Sequence, residues 1–255
     1  MKSKELETLE KELLEIKTSS EKIGSFLKGL TGELSNLSEH DWLFVRTNGF
    51  KEKYGDWERF FKCQFLLEHP AVCALSGNEF APVEGKTLTD QVEEYFIELG
   101  RKVLSPFFGE VILDRKGADD SLAHGMGRLK AIAYAAVKDV IEKGILINYE
   151  FNHKNRGYNS AVLAAPITIG KERFICLVVI RKNLNENKFY LHEVVEKRKL
   201  LSEGSNTAQK QPQRLKVFAK ILQNIISAKD LQINCILETN GEPTPEWAQI
   251  LLPNQ

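Results

Sequence analysis

The sequence predicts an α+β fold, with helices packed on a four-stranded antiparallel β-meander and flanked by a helical N-terminal arm and a C-terminal helix. Three observations predict it. Four runs rich in Val, Ile, Phe and Tyr follow one another from Ile145 to Val194, joined by short turn-forming connectors. Two segments of helical apolar spacing precede them, one opening at Thr87 and one closing at Gly144. Leucines recur at three- and four-residue steps from Leu6 to Leu37. With 255 residues, 42% of them apolar, the chain is long enough for one full domain and a smaller attachment.

In the arm (1–47), Leu6, Leu9, Leu13, Ile16, Ser20, Ile23, Leu27, Leu30, Leu34 and Leu37 form the seam of an amphipathic helix or coiled coil. That helix either packs on its own domain or serves self-association or a partner. Gly24, Gly29 and Gly32 each lower helix propensity by roughly 1 kcal/mol relative to Ala and weaken its second half. The next part, 48–86, holds the aromatic and charged cluster Phe50 to Glu58, read as an anchor that docks a short helix. Its His-Pro, Ser-Gly-Asn and Ala-Pro signals between Glu68 and Lys86 read as a connector, with a domain boundary near residue 86.

Thr87 caps a predicted helix carrying Val92, Tyr95, Phe96, Leu99 and Val103, which ends between Gly100 and Pro106. Gly109 to Asp114 reads as a short strand and Lys116 to Asp120 as a polar turn. The following helix starts near Ser121 or Gly127 and stops at Gly144, a C-terminal cap position. The strands are Ile145 to Phe151, Ser160 to Ile169, Arg173 to Lys182 and Lys188 to Val194. The third is apolar on both faces, which predicts a central, covered position, while one face of the sheet is expected to stay open for a site. Beyond residue 202, Gly204 to Pro212 reads as an exposed link and Leu215 to Ala228 as an amphipathic helix.

Lys+Arg and Asp+Glu both total 35, so any contact with nucleic acid has to come from a local patch. Cys63, Cys73, Cys176 and Cys235 match no paired metal-ligand spacing, and a reducing cytoplasm is expected. No run approaches the roughly 20 apolar residues that span a bilayer, and the charged N-terminus argues against secretion.

The chemistry-bearing residues concentrate between Asp120 and Glu193. Metal-independent RNA cleavage needs a base near neutral pKa for the ribose 2′-hydroxyl, cations for the charge on phosphorus, and an acid for the leaving oxygen. His124, Lys130, Tyr190 and His192 are the candidate catalytic residues, and Arg128, Arg156 and Tyr158 the candidate substrate-binding ones. Strand alternation places Tyr190 and His192 on one side, Leu191 and Glu193 on the other. His192 is as readily a strand histidine bonded to a neighbour. His124 precedes a helix among small residues, and Gly125-Met126-Gly127 offers backbone N–H groups to an anion. No metal or cofactor is expected, since His192 and Glu193 point apart. His153 lies in a turn and is read as solvated, although Lys154 and Arg156 beside it suit phosphate; His40 and His69 are assigned to structure or solvent.

Gly109 to Asp114, Ser121 to Lys130, Asn155-Arg156-Gly157-Tyr158, Ala164 to Ile167 and Phe189 to Val194 together resemble a domain of the large polyvalent proteins of phages and conjugative elements. The likeness covers residues 87–202, and Gly55-Asp56-Trp57-Glu58 is similar to a segment that accompanies such domains. The element order also resembles the barnase, EndoU, colicin and RelE-like ribonuclease superfamily. That second resemblance implies a metal-independent endoribonuclease used in conflict between element and host; no invariant catalytic set comes with it. The leading expectation is therefore RNA cleavage with RNA as partner. The alternative is a non-catalytic module that binds nucleic acid or a host protein, with the leucine-spaced arm as its contact; a different transferase or hydrolase in the same pocket stands third.

Overall fold

The computed structural model describes residues 2–122, 128–182 and 187–196, and the chain divides into two compact units between Cys63 and Gln64. The first opens with α1 (Lys2–Ile23). Gly24 ends it at φ 83°, where Ser25 N–H reaches back to the Ser20 carbonyl at 2.9 Å, a Schellman-type stop. The helical spacing predicted through Leu37 therefore breaks at the first of its three glycines. Leu9, Leu13 and Ile16 are half-buried, whereas Leu6 and Leu14 are 60% and 64% exposed.

Among the described residues this unit also holds α2 (Glu39–Phe44), α3 (Asn48–Tyr54) and the start of α4 (Trp57–Glu68). Ser38 and Thr47 cap α2 and α3 through their hydroxyls, and Glu12 of α1 accepts the Asn48 N–H at 2.7 Å. The predicted aromatic anchor is present as a small core of Val45, Phe50, Trp57 and Phe61. Arg46 holds it from one side. Its guanidinium lies 3.6 Å from the Trp42 ring centroid and 4.9 Å from that of Trp57, and it pairs with Glu58 at 3.1 Å. Burial alone would raise the Glu58 carboxyl, but the charges of Arg46, Lys62 and Lys51 outweigh it and hold the group below its ordinary value.

The second unit carries β1 (Cys73–Leu75), α5 (Leu88–Glu98), β2 (Lys102–Ser105), β3 (Gly109–Ile112), α6 (Arg115–Leu122), α7 (Arg128–Ile132), α8 (Val137–Lys143), β4 (Ile145–Glu150), β5 (Asn159–Ile169), β6 (Glu172–Lys182) and β7 (Asn187–Glu196). The predicted antiparallel meander is present as β4 to β7, but it is the middle of a larger, mixed sheet of seven described strands. On one side β3 runs parallel to β7, with Ile112 opposite Lys188, and pairs antiparallel with β2. On the other, β5 pairs with β4 along its first half and, in parallel, with β1 along its second. Pro166 sits where β5 changes partner. Its carbonyl accepts the Val72 N–H at 2.8 Å, so the N–H it lacks is missing at the one place where no ladder bond needs it.

α5 begins as expected, with Thr87 and Asp90 forming a reciprocal capping box. It stops at Glu98, before the left-handed Gly100 and Arg101, and Val103 lies in β2 instead. The stretch read as a polar turn is α6, whose Gly117 N–H is capped by the Asp114 side chain at 2.9 Å. α5, the 3₁₀ turn at 133–136 and α8 cover one face of the sheet through Val92, Phe96, Tyr134, Val137 and Ile141. At Gly144 the backbone is extended, at φ −75°, and the glycine is needed for closeness: a Cβ there would lie 2.4 Å from the Val140 carbonyl oxygen and 3.1 Å from that of Ala164.

The expected open face is not open on the central strands. Val162, Ala164, Ile175, Leu177 and Val179, which face away from the helical layer, are at most 1% exposed. β6 is thus covered on both sides, as its unbroken apolar run predicts. The link from Gly204 and the helix predicted from Leu215 lie outside the described residues.

Candidate functional site

Of the predicted site residues, Lys130, Tyr190 and His192 lie on elements that meet at the edge of the helical layer, on α7 and β7. β3 delivers the chain to β7 at Lys188, and the next two helices, α6 and α7, both lie against that strand. Between them runs the segment with His124, which itself lies outside the described residues. On α7, Lys130 is only 8% exposed, the single charged side chain among the buried residues described. Removing an ammonium from water is costly, so a buried lysine is kept where its charge is used or answered.

β7 is irregular where it matters. Leu191 pairs with Val178 and Glu193 with Leu177, so His192 is an extra residue in a β-bulge. Strict alternation, on which the shared side of Tyr190 and His192 rests, does not run through this point. Both residues are placed here by their backbone alone.

Arg128 is committed elsewhere. Its guanidinium donates to the carbonyls of Phe80 at 2.8 Å and Gly77 at 3.2 Å, latching the start of α7 to the loop after β1. That loop packs at the Ile169 end of β5, whereas Arg156 and Tyr158 precede its other end. Eleven strand residues separate these ends, about 33 Å at the usual rise, so Arg128 and Arg156 cannot grip one phosphate.

Arg156 and Tyr158 belong instead to the β4–β5 hairpin, where the structure places a group that the sequence alone assigns to solvent. His153, whose side chain is 15% exposed, has its Nδ1 2.5 Å from Glu150 Oε2. Its ring lies 5.7 Å from that of Tyr158, and the Arg181 guanidinium stands 5.7 Å from the same Tyr158 ring. Asn152, Lys154 and Asn155 all have left-handed φ, at 44°, 51° and 56°. Such backbone persists where surrounding bonds over-determine it, and here the Asn152 side chain accepts Gly157 N–H while that of Asn159 accepts Asn152 N–H, each at 2.9 Å. A signal for this is present in the sequence: a carboxylate three residues before the histidine, in a loop whose Asn and Gly residues tolerate tight reversals.

With this geometry in view, the family comparison bears on the second unit. Residues 84–190 match the model of the family described as large polyvalent protein-associated domain 3. Over that stretch the chain is similar to a polyvalent-protein-associated domain. No curated protein and no solved structure matches the chain.

The matched stretch runs from the approach to α5 into β7, ending at Tyr190. It includes His124, Arg128, Lys130, Arg156 and Tyr158, and stops two residues short of His192. Its helical side carries an exposed ion network in which Arg115 bonds Asp90 at 2.7 Å and Glu93 at 3.0 Å. The Thr87 hydroxyl, then Arg115, bring the Asp90 carboxyl down to about 2. Just outside the match, on β1, burial and then the Asp139 carboxylate push the Cys73 thiol up to about 11, and burial drives that of Cys176 higher still. Neither is a thiolate at neutral pH, so neither is primed as a nucleophile. Among the described residues no cluster of three or more His, Cys, Asp or Glu is arranged to hold a metal ion, and no helix is long and apolar enough to cross a membrane.

Proposed function

We propose that this chain belongs to a phage or conjugative element and cuts RNA without a metal ion, at the edge of the polyvalent-protein-associated domain where α6 and α7 meet β7. The burial of Lys130 beside the bulged strand carries this reading, since bulges and buried charged residues both concentrate at reactive sites. His124 and His192 serve as base and acid. One takes the proton of the ribose 2′-hydroxyl, the 2′ oxygen attacks phosphorus, and the 5′ oxygen leaves with the proton the other donates. A 2′,3′-cyclic phosphate and a free 5′-hydroxyl remain. Lys130 answers the negative charge that grows on the phosphorus oxygens, and Tyr190 positions the phosphate. Arg156 and Tyr158 hold the strand further along, while Arg128 fixes the loop at Gly77 and Phe80.

The test is incubation of the purified protein with labelled RNA in EDTA, wild type beside His124→Ala, His192→Ala and Lys130→Met. Cleavage by wild type, ending in cyclic phosphate and lost in each variant at unchanged melting temperature, is the expected result. Intact RNA with wild type, both in EDTA and with added divalent metal, refutes the proposal.

The first unit favours a second reading, an accessory module that docks a host protein. Leu6 and Leu14 stand exposed on α1, and a groove of about 590 Å³ opens between α1 and the segment that follows α2, lined by Leu9, Phe44, Phe50 and Tyr54. On that reading RNA stays intact, and deleting the leucines of α1 abolishes the interaction.

A further inference from the structure

The β4–β5 hairpin differs in charge from the molecule that bears it. The chain as a whole is neutral, yet from Glu150 to Asn159 and across the facing Arg181–Lys182 step there are four Lys and Arg residues and one carboxylate. That carboxylate, Glu150, is already bonded to His153. Lys154 and Arg156 are exposed at the tip. The residues that close β6 each bring a cation to an aromatic ring: Arg181 to Tyr158 at 5.7 Å, and Lys182 to Phe108 at 5.8 Å. Phe151, at the head of the turn, is 46% exposed.

We propose that this end of the sheet is a clamp for single-stranded nucleic acid, in which Lys154 and Arg156 meet phosphates while Tyr158 and Phe151 offer ring faces to bases. The choice of RNA as the strand rests on the ribonuclease reading above; the clamp itself rests on the hairpin. A single strand fits and a duplex does not, because only unpaired bases present their faces for stacking. The tip is held ready for this. The Asn152 and Asn159 side chains pin its turns, and the Glu150–His153 contact fixes the ring that flanks Tyr158, so little ordering remains to be done on binding. The hairpin would hold the strand beyond the reacting phosphate, which makes it a binding element and not a catalytic one.

The test uses the full chain and a short fluorescein-labelled 2′-O-methyl oligouridylate, which cannot be cut through its 2′ oxygen, followed by fluorescence polarisation over a series of salt concentrations. Wild type should bind it, more weakly as salt rises. Replacing both Lys154 and Arg156 by Ala should weaken binding about tenfold or more and flatten the log–log salt slope by about 1.4, close to 0.7 for each phosphate no longer neutralised. Tyr158→Ala should weaken binding about fivefold or more while leaving the slope unchanged, as loss of a stacked base does. Arg156→Lys should restore the slope. The proposal is overturned if wild type does not bind, if it binds the matching duplex as tightly, or if the double variant binds as wild type does at every salt. Failure of the two readings can be told apart. A protein that binds the methylated strand but leaves ordinary RNA whole loses the ribonuclease and keeps the clamp. One that cuts RNA while the hairpin variants bind and cut unchanged loses the clamp and keeps the ribonuclease.

Discussion

Gly144→Ala tests how tightly the helical layer is held to the sheet. The added methyl would sit 2.4 Å from the Val140 carbonyl oxygen and 3.1 Å from the Ala164 carbonyl oxygen, and both obstacles are backbone. To make room, α8 has to lose its last bond, Gly144 N–H to Val140 at 2.9 Å, or lift away from β5. Such overpacking costs about 1–3 kcal/mol, and the stiffer unfolded chain returns about 0.4–1 of it. The net loss is about 1–2 kcal/mol, a fall in Tm of about 2–8 °C for a unit of this size. Far-UV circular dichroism during heating follows the strands of the second unit, while fluorescence of Trp42 and Trp57 follows the first. Gly49 in α3, where an added methyl would meet nothing within 4 Å, is the control: Gly49→Ala should leave stability unchanged or slightly raised. A Gly144→Ala protein that melts at or above the wild-type temperature would refute the close-approach argument.

Three further outcomes are expected. Arg46→Met removes the partner of Glu58 and the cation between Trp42 and Trp57, and should lower the stability of the first unit by about 2–4 kcal/mol in urea unfolding followed by tryptophan fluorescence; an unchanged midpoint would show the cluster to be ornamental. Asp90 has its carboxyl lowered from 3.8 to about 2, so its contribution is complete above about 3.8 and is lost as pH falls towards 2. Asp90→Asn should flatten that acid limb of the melting profile, and a limb of wild-type steepness in the variant would contradict the assignment. Thr87→Ala, which removes the hydroxyl from the same capping box, should cost about 1 kcal/mol at neutral pH, read from the thermal midpoint.

Local chemistry accounts for what the sequence makes legible. Thr87 and Asp90 mark the start of α5 because a capping box is written in four consecutive residues, and β4 to β7 are long, β-branched and joined by turns. β1 and β2 escape because three or four residues are too few to show a period, and β2 directly follows the left-handed stop at Gly100 and Arg101. α6 resembles a turn since Lys116 to Asp120 has no apolar stripe; only Asp114 at its cap announces it. In the candidate site, Lys130 stands out in the sequence for its charge, and its burial follows from tertiary packing that no local pattern encodes. The bulge at His192 is likewise a property of two strands together. His153 reads as solvated because turns are usually wet, whereas Glu150 and Tyr158 enclose it.

The place of β7 also bears on how this protein is made. Ile112 finds its strand partner only at Lys188, and Cys73 finds its own at Ile167. On the ribosome, α5 and α8 therefore emerge with Val92, Phe96, Val140 and Ile141 bare, long before the surface they cover is assembled. The β2–β3 hairpin joins the rest only after β7 has cleared the exit tunnel. A chain stalled ahead of residue 187 would leave α6 and α7 without the strand they lie against, a form that chaperones bind and proteases cut. Translation of β7 would thus double as a checkpoint, keeping the α7–β7 edge unformed until that strand has been made.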